Sequence, residues 1–162
     1  MIVQRSVVFV AILVLAPLGA GAQSPTAPAT ILSADQLRAI GDSLTPGSSR
    51  TAQLGRGSGY TYGLTHRDSS GTVEVHRDRT DVFVVEAGSA ALLTGGVAEG
   101  AAESSPGEWR GGSVRGATRA AIHVGDIVVI PAGTPHQMVL GPGERISYIA
   151  VKVAVAVPSG RP

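Results

Sequence analysis

"GDIVVIPAGTPHQM" (residues 125–138) is the stretch on which the reading of this chain turns. Gly125 and Asp126 make a tight turn into "IVVIP", a run of β-branched residues suited to a strand buried on both faces. Pro131 stops the ladder because it has no N–H to donate. Gly133 permits a left-handed turn, and Pro135 stiffens the return. The result is one imidazole, His136, delivered at a fixed place at the start of the next strand. A metal ligand needs positioning of that kind. A tight hairpin that merely ends in a polar residue has the same pattern.

The surroundings of this stretch are β-like. Val, Ile, Thr and Tyr are common from residue 58 onward, and glycine punctuates every run. Strands are expected near 58–66, 72–78, 82–87, 89–94, 109–114, 118–124, 126–130, 135–140 and 145–157. Several short strands with regular turn signals indicate a sandwich or a barrel. "GGVAEGAAESSPGE" (95–108) reads as the least ordered part of the domain, and no internal repeat of useful length is visible.

Ahead of the strands, "ILSADQLRAIGDSL" has a helix start. Ser33 is placed as N-cap with Gln36 three residues on, the spacing of a capping box. Leu32 and Leu37 are placed for a hydrophobic staple, and Leu37, Ile40 and Leu44 fall on one face. Further upstream, Arg5 precedes the apolar run "VVFVAILVLAPLGA", and "AGA" at 20–22 offers small residues for cleavage. This is the pattern of a secretory signal peptide. The run is short for a membrane span and is broken by Pro17. The expected organisation is therefore a leader over 1–22, a disordered linker over 23–30, a helix over 31–45 and one barrel domain over 46–158. The mature protein is expected to be secreted or periplasmic, without stable membrane insertion.

Composition narrows the function classes. The chain has no cysteine, so an exported domain must hold its core without disulfides. Its formal net charge is +1, and loss of Arg5 with the leader brings it to about zero, which gives no electrostatic reason to bind nucleic acid. "RGGSVRGATR" (110–119) reads as a turn-rich loop rather than a nucleic-acid segment. "GDSL" (41–44) matches a lipase signature in letters only, since it falls inside the expected helix. No glycine-rich loop carries the Lys-Ser/Thr of a phosphate binder.

The pattern G-x5-P-x-G-x2-H, read as Gly125, Pro131, Gly133 and His136, resembles the second motif of the cupin superfamily, whose usual closing Asn is Leu140 here. The first cupin motif ends with two histidines one residue apart, then an acidic residue, then a glycine seven further on. "VEVHRDRTDVFVVEAG" is similar to it in part. Gly88 lies seven after Asp81, which puts Asp81 in the acidic place, His76 in the second-histidine place and Glu74 in the first. "DVFVVEAG" followed by "SAALLTGG" looks like the hairpin that normally follows. The resemblance spans about residues 58 to 155 and implies an all-β fold, a cupin-type double-stranded β-helix (jelly-roll) barrel, with one short N-terminal helix in front.

The resemblance also implies a site. His76, Asp81 and His136 would be ligands of a divalent metal at the barrel centre, with Glu74 as fourth ligand or general base. Two histidines and a carboxylate with open positions suit Fe(II), and Mn, Ni or Zn are also compatible. A second frame takes His76 as first ligand and Asp78 in place of the second histidine; His76 and His136 stay in both. Without metal, Glu74, His76, Asp81 and His136 would instead form a polar pocket for a small ligand, or a satisfied hydrogen-bonded network. Tyr60, Tyr62, Phe83, Trp109, Met138 and Tyr148 are candidates to line a pocket or to serve as ordinary core. His66 and His123 read as surface residues. Lys152 interrupts the apolar strand "YIAVKVAVAV" and is expected to snorkel to the barrel end, an anion-binding place in the cavity being the other reading. The expected function is metal-dependent chemistry on a small organic molecule of the oxygenase, isomerase or decarboxylase kind, or non-catalytic binding of one. A homodimer through barrel strands is expected from family habit.

Overall fold

The computed structural model describes residues 28–44 and 49–156. The expected leader, residues 23–27 of the linker, position 45 of the expected helix, and positions 46–48 and 157–158 of the expected barrel lie outside the described residues. The described residues from Leu32 onward belong to one compact unit, which carries the elements below. Among the described residues, no helix is long and apolar enough to cross a membrane.

Helix α1 (Ala34–Ser43) begins as its sequence demands. The Ser33 side chain accepts from the Gln36 backbone N–H, and the Gln36 side chain accepts from the Ser33 N–H. Leu37, Ile40 and Leu44 are half-buried while the rest of the helix is mostly exposed. Among the described residues twelve strands follow: β1 (Arg50–Gly57), β2 (Tyr60–Arg67), β3 (Glu74–His76), β4 (Arg79–Thr94), β5 (Val97–Glu99), β6 (Ala102–Ser105), β7 (Glu108–Arg110), β8 (Ser113–Arg115), β9 (Thr118–His123), β10 (Ile127–Ile130), β11 (His136–Val139) and β12 (Ile146–Ala154). All pairings are antiparallel. The main sheet runs β1-β2-β12-β4-β11-β3-β7-β6, with β9 and β10 also on β4, while β5 and β8 form a separate ribbon. The fold is all-β with one short helix, as the sequence indicates.

Strand β4 makes the barrel. Its first half pairs with β12 and β10, and its second half with β9 and β11. The buried positions are Asp81, Phe83 and Val85 before Gly88, then Ala90 and Leu92 after it. Inward parity therefore switches from odd to even numbers. The switch falls at a register shift against β12 between Ser147 and Tyr148, where one extra β4 residue is accommodated. That is a β-bulge, which bends a strand around a corner and re-aims its side chains. The hairpin expected at Gly88 is thus not a reversal but a corner within one 16-residue strand. Gly88 has φ +72°, and a Cβ there would stand 1.9 Å from the Arg145 carbonyl oxygen.

Three other expectations change. The segment 95–108 carries β5 and β6 instead of lacking order. Strand β1, not expected from its polar and glycine-rich sequence, is an edge strand on β2. Tyr62 lies across Gly55 and Tyr60 across Gly57, so the aromatic rings cover the glycines of that edge. Strand β10 is not buried on both faces: Ile130 is buried, but Ile127 and Val129 are 69% and 60% exposed. Among the described residues it pairs with β4 alone, which leaves its outer face open. The core inside the barrel is Phe83, Val85, Ala90, Leu92, Ile122, Ile130, Met138, Ile146 and Tyr148.

Two glycines separate the effects of backbone conformation and close approach. Gly125, at φ +90° with nothing within 4 Å of a built Cβ, should lose about 1 kcal/mol on replacement by alanine. Gly88→Ala adds the collision with the Arg145 carbonyl and should lose several times as much. Chemical denaturation of the two variants checks this, and equal losses would refute the corner described here.

Candidate metal centre and its cavity

The turn after β10 forms as the glycine–proline pattern requires. Gly133 has φ +78°, the Thr134 N–H donates to the Pro131 carbonyl, and β11 starts at His136. The Gly133 N–H also donates to the His76 carbonyl at 2.7 Å, and the Gly95 N–H to the Pro135 carbonyl at 2.9 Å. The loop that carries one histidine is thereby pinned to the strand that ends with the other.

The cross-strand register brings the remaining groups together. His136 stands opposite Glu74 on β3, and Lys152 on β12 stands opposite Asp81 on β4. Glu74 and His76 share a face of β3 because side chains alternate along a strand. His76, Asp81 and His136 are buried, at 3%, 1% and 5% exposure. Asp81 Oδ2 lies 3.4 Å from His76 Nε2 and 3.7 Å from His136 Nε2, and Glu74 Oε2 lies 3.5 Å from His76 Nε2. The rings of the two histidines are 5.3 Å apart between centroids. Ligand atoms of Glu74, His76 and His136 all lie within 4.8 Å of one another.

Each histidine has its other nitrogen occupied. His136 Nδ1 is 3.0 Å from the Thr134 carbonyl, to which its N–H donates. His76 Nδ1 meets the Glu108 carboxylate, which β7 supplies in register with β3. In the neutral ring, the form a metal would take, a hydrogen bond at Nδ1 fixes the tautomer and leaves the Nε2 lone pair facing the centre. Glu108 was not legible as a site residue, because it lies 32 positions from His76 and only the β3–β7 pairing joins them.

Lys152 does not snorkel. Its Nζ lies 2.9 Å from Asp81 Oδ2, 3.1 Å from Asp81 Oδ1 and 2.9 Å from His76 Nε2. Arg67 and Arg110 both reach Glu74 Oε1, at 3.3 and 2.9 Å, and Arg67 Nε donates to the Tyr148 hydroxyl at 3.1 Å. These arginines line a cavity of about 190 Å³ together with Glu74, Asp81, His136 and Lys152. Its apolar wall includes Phe83, Leu92, Met138 and Tyr148. Tyr60 and Tyr62 are outside it: with Leu64 they share the outward face of β2, while Thr65 and Arg67 point in. Trp109 is half-buried opposite Val75, away from the cavity lining. Asp78 pairs with Arg79 at 3.6 Å beyond the end of β3, so Asp81, not Asp78, supplies the carboxylate beside the histidines. His66 contacts Ser147, and His123 is exposed near Asp126.

The electrostatics follow from burial and neighbours. Burial works against the Glu74 carboxylate, but the His76 hydrogen bond and Arg110, His136 and Arg67 outweigh it and bring its pKa to about 2. Asp81 is likewise held low: burial opposes its charge, and contacts with His76 and Lys152 overcome that. Burial also works against a charged His76, yet the carboxylates of Asp81 and Glu74 raise it to about 9. His136 is pushed down by burial. Burial likewise raises the Tyr148 hydroxyl.

Glu74, His76 and His136 form a group that could hold a divalent ion. Ligand atoms about 2.0–2.2 Å from one tetrahedral ion stand about 3.4 Å apart. Three of the contacts are near that spacing: His76 to Asp81 at 3.4 Å, His76 to Glu74 at 3.5 Å and His136 to Asp81 at 3.7 Å. Nitrogen and carboxylate donors are the mixture that Fe(II), Mn, Ni and Zn accept.

No protein-family model and no curated protein sequence matches the chain. Solved structures do. An uncharacterized conserved protein with a double-stranded β-helix domain from Klebsiella pneumoniae aligns with a TM-score of 0.54 at 15% identity, covering 78% of this chain and 91% of that one. The cupin domain of Cnp3 from Schizosaccharomyces pombe aligns with a TM-score of 0.52 at 10% identity, covering 70% of each chain. The protein TT1209 from Thermus thermophilus aligns with a TM-score of 0.50 at 16% identity, over 69% of this chain and 89% of that one. Likeness at such identities concerns the fold, which is the cupin-type double-stranded β-helix.

The site sets the pH profile of stability in metal-free protein. His76, raised from 6.5 to about 9, contributes fully below pH 6.5 and loses its contribution as pH climbs through 9. His136, with its folded pKa below 6.5, costs stability as pH falls under that value. Glu74, lowered from 4.5 to about 2, contributes above pH 4.5 and loses that contribution on acidification toward 2. Denaturation midpoints in the presence of a chelator should peak near pH 6.5 and fall on both sides. In His76→Ala the decline between pH 6.5 and 9 should flatten.

Proposed function

We propose that this protein is a divalent-metal cupin that acts on, or binds, a small organic molecule. The observation that carries the reading is that ligand atoms of Glu74, His76 and His136 lie within 4.8 Å of one another, with Asp81 Oδ2 3.4 and 3.7 Å from the two Nε2 atoms and both Nδ1 atoms engaged elsewhere. A divalent ion held by these residues would polarise a substrate oxygen or activate water. Phe83, Leu92 and Met138 exclude water from one side of the cavity and would pack on the apolar part of the ligand. Arg67 and Arg110 form a positive edge that suits a carboxylate or another oxygen-rich group. At about 190 Å³ the space is below the ~300–1,000 Å³ usual for ligand pockets, so the ligand is small.

Glu74 is better supported as a ligand than as a general base. Its Oε1 is bound to two guanidiniums and its Oε2 faces the centre. A carboxylate held at about 2 accepts a proton poorly at neutral pH, where a general base needs a pKa near the working pH. The signal-like leader supports a secreted or periplasmic setting, and a homodimer stays part of the proposal on family habit.

One observation favours a second reading, a metal-free small-molecule binder: the Lys152 ammonium already compensates Asp81 and meets His76. Metal analysis decides between them. Purified mature protein reconstituted anaerobically with Fe(II), and separately with Mn, Ni and Zn, should retain about one ion per chain. His76→Ala and His136→Ala should each lose it, with affinity down by at least 100-fold. Retention of no ion under any of these conditions would leave the binder reading in its place.

A further inference from the structure

Lys152 is the only lysine in the chain; every other basic side chain is arginine. It sits on the inner face of β12, directly opposite Asp81; its Nζ donates to both Asp81 oxygens and lies 2.9 Å from His76 Nε2, which accepts the third donor when the ring is neutral. Both acceptors belong to the donor set that the metal reading requires. An ion about 2.1 Å from His76 Nε2 and Asp81 Oδ2 would stand no more than about 3.6 Å from Nζ where it lies now. Two cations that close, in a cavity walled by Phe83, Leu92 and Met138, repel strongly, and they would also compete for the same lone pairs.

We propose that Lys152 is a resident internal cation that must leave the barrel centre when a divalent ion enters, so that one side chain sets the metal affinity of the site. The inference rests on the metal reading above. The ammonium holds Asp81 and His76 in place without metal, keeping a buried carboxylate compensated. Entry of an ion breaks the three Lys152 contacts and releases the side chain toward the open part of the cavity, where it is already 28% exposed. Metal uptake thus carries the cost of those three contacts, and the site is selective for ions that bind the two histidines and two carboxylates firmly enough to offset it.

Calorimetric titration of the mature chain with Zn(II) and with Mn(II) tests this in wild type, Lys152→Met and Lys152→Gln. Met keeps much of the stem volume and removes the charge. Gln keeps a donor for Asp81 and serves where Met fails to fold, with circular dichroism as the check. Both variants should bind at least tenfold more tightly than wild type. Equal or weaker binding in folded variants overturns the proposal while leaving the metal reading intact. Absence of binding in wild type and variants alike removes the metal reading and the proposal with it. A second readout uses the single lysine. Acylation by an amine reagent, followed by mass spectrometry, should label Lys152 several-fold faster once Zn(II) is added to wild type, with no such change in His136→Ala. Unchanged or slower labelling of Lys152 in the zinc-bound protein overturns displacement.

Discussion

A carboxylate shut inside a β-barrel must be compensated, and Asp81 is the group around which this interior is arranged. It is 1% exposed. An ionised carboxylate out of water costs several kcal/mol unless charge and hydrogen bonds replace its hydration. Lys152 supplies a full positive charge to both oxygens, and His76 and His136 stand within 3.7 Å of one of them. Those partners impose their own demands. His76 needs an acceptor at Nδ1 and finds it in Glu108; His136 finds it in the Thr134 carbonyl. Glu74 adds a second carboxylate and takes two arginines with it. The polar centre is therefore one connected network, in which loss of a member leaves the others with unmatched charge.

Such a network needs strands far apart in sequence to meet in fixed register. Strand β4 provides this by serving two sheets. Before its corner it sets Asp81 against Lys152 of β12; after the corner it carries β11, so that His136 arrives opposite Glu74. The bulge near Gly88 does two things at once. It turns the strand, and it changes which parity faces inward, so that Asp81, Phe83, Val85, Ala90 and Leu92 all point to the same interior. Without the change of parity, one half of β4 would present its polar face to the core.

Much of this was readable from residue types. The turn chemistry of 125–138 specifies a short strand, a stop and a placed histidine, because each of its glycines and prolines restricts the backbone locally. The capping box at Ser33 is equally local. What the sequence does not reveal is set by partners at a distance. A glycine after "DVFVVEA" fits a hairpin or a corner equally well, and only the Arg145 carbonyl lying against Gly88 decides. Periodicity in "IVVI" cannot tell that Ile127 and Val129 stay exposed on the outer face of β10. Strand β1 has little apolar patterning of its own, and its glycines are covered by tyrosines from β2. Arg67, Arg110 and Glu108 join the site through strand pairing alone. The oddity of Lys152 in an apolar strand was visible, but its direction depended on Asp81 standing across from it.

The choice of lysine at that one position has a physical basis. Elsewhere the chain uses arginine: Arg67 and Arg110 each set one guanidinium nitrogen on Glu74 Oε1, and Arg67 is held by the Tyr148 hydroxyl and packs against Gly71. An ammonium is compact, and its three donors radiate from one atom. It can serve Asp81 Oδ1, Asp81 Oδ2 and His76 Nε2 from a single point, which is also the demand a small metal ion meets. A guanidinium spreads its donors over three nitrogens in one plane and cannot present them from a single point. The cavity thus has Arg67 and Arg110 on Glu74 at its edge and the Lys152 ammonium on Asp81, which on the proposal above would move when a divalent ion enters. With an ammonium or a divalent ion at that base, the charge facing an incoming ligand keeps its sign, while the atom available to bind the ligand's oxygen differs.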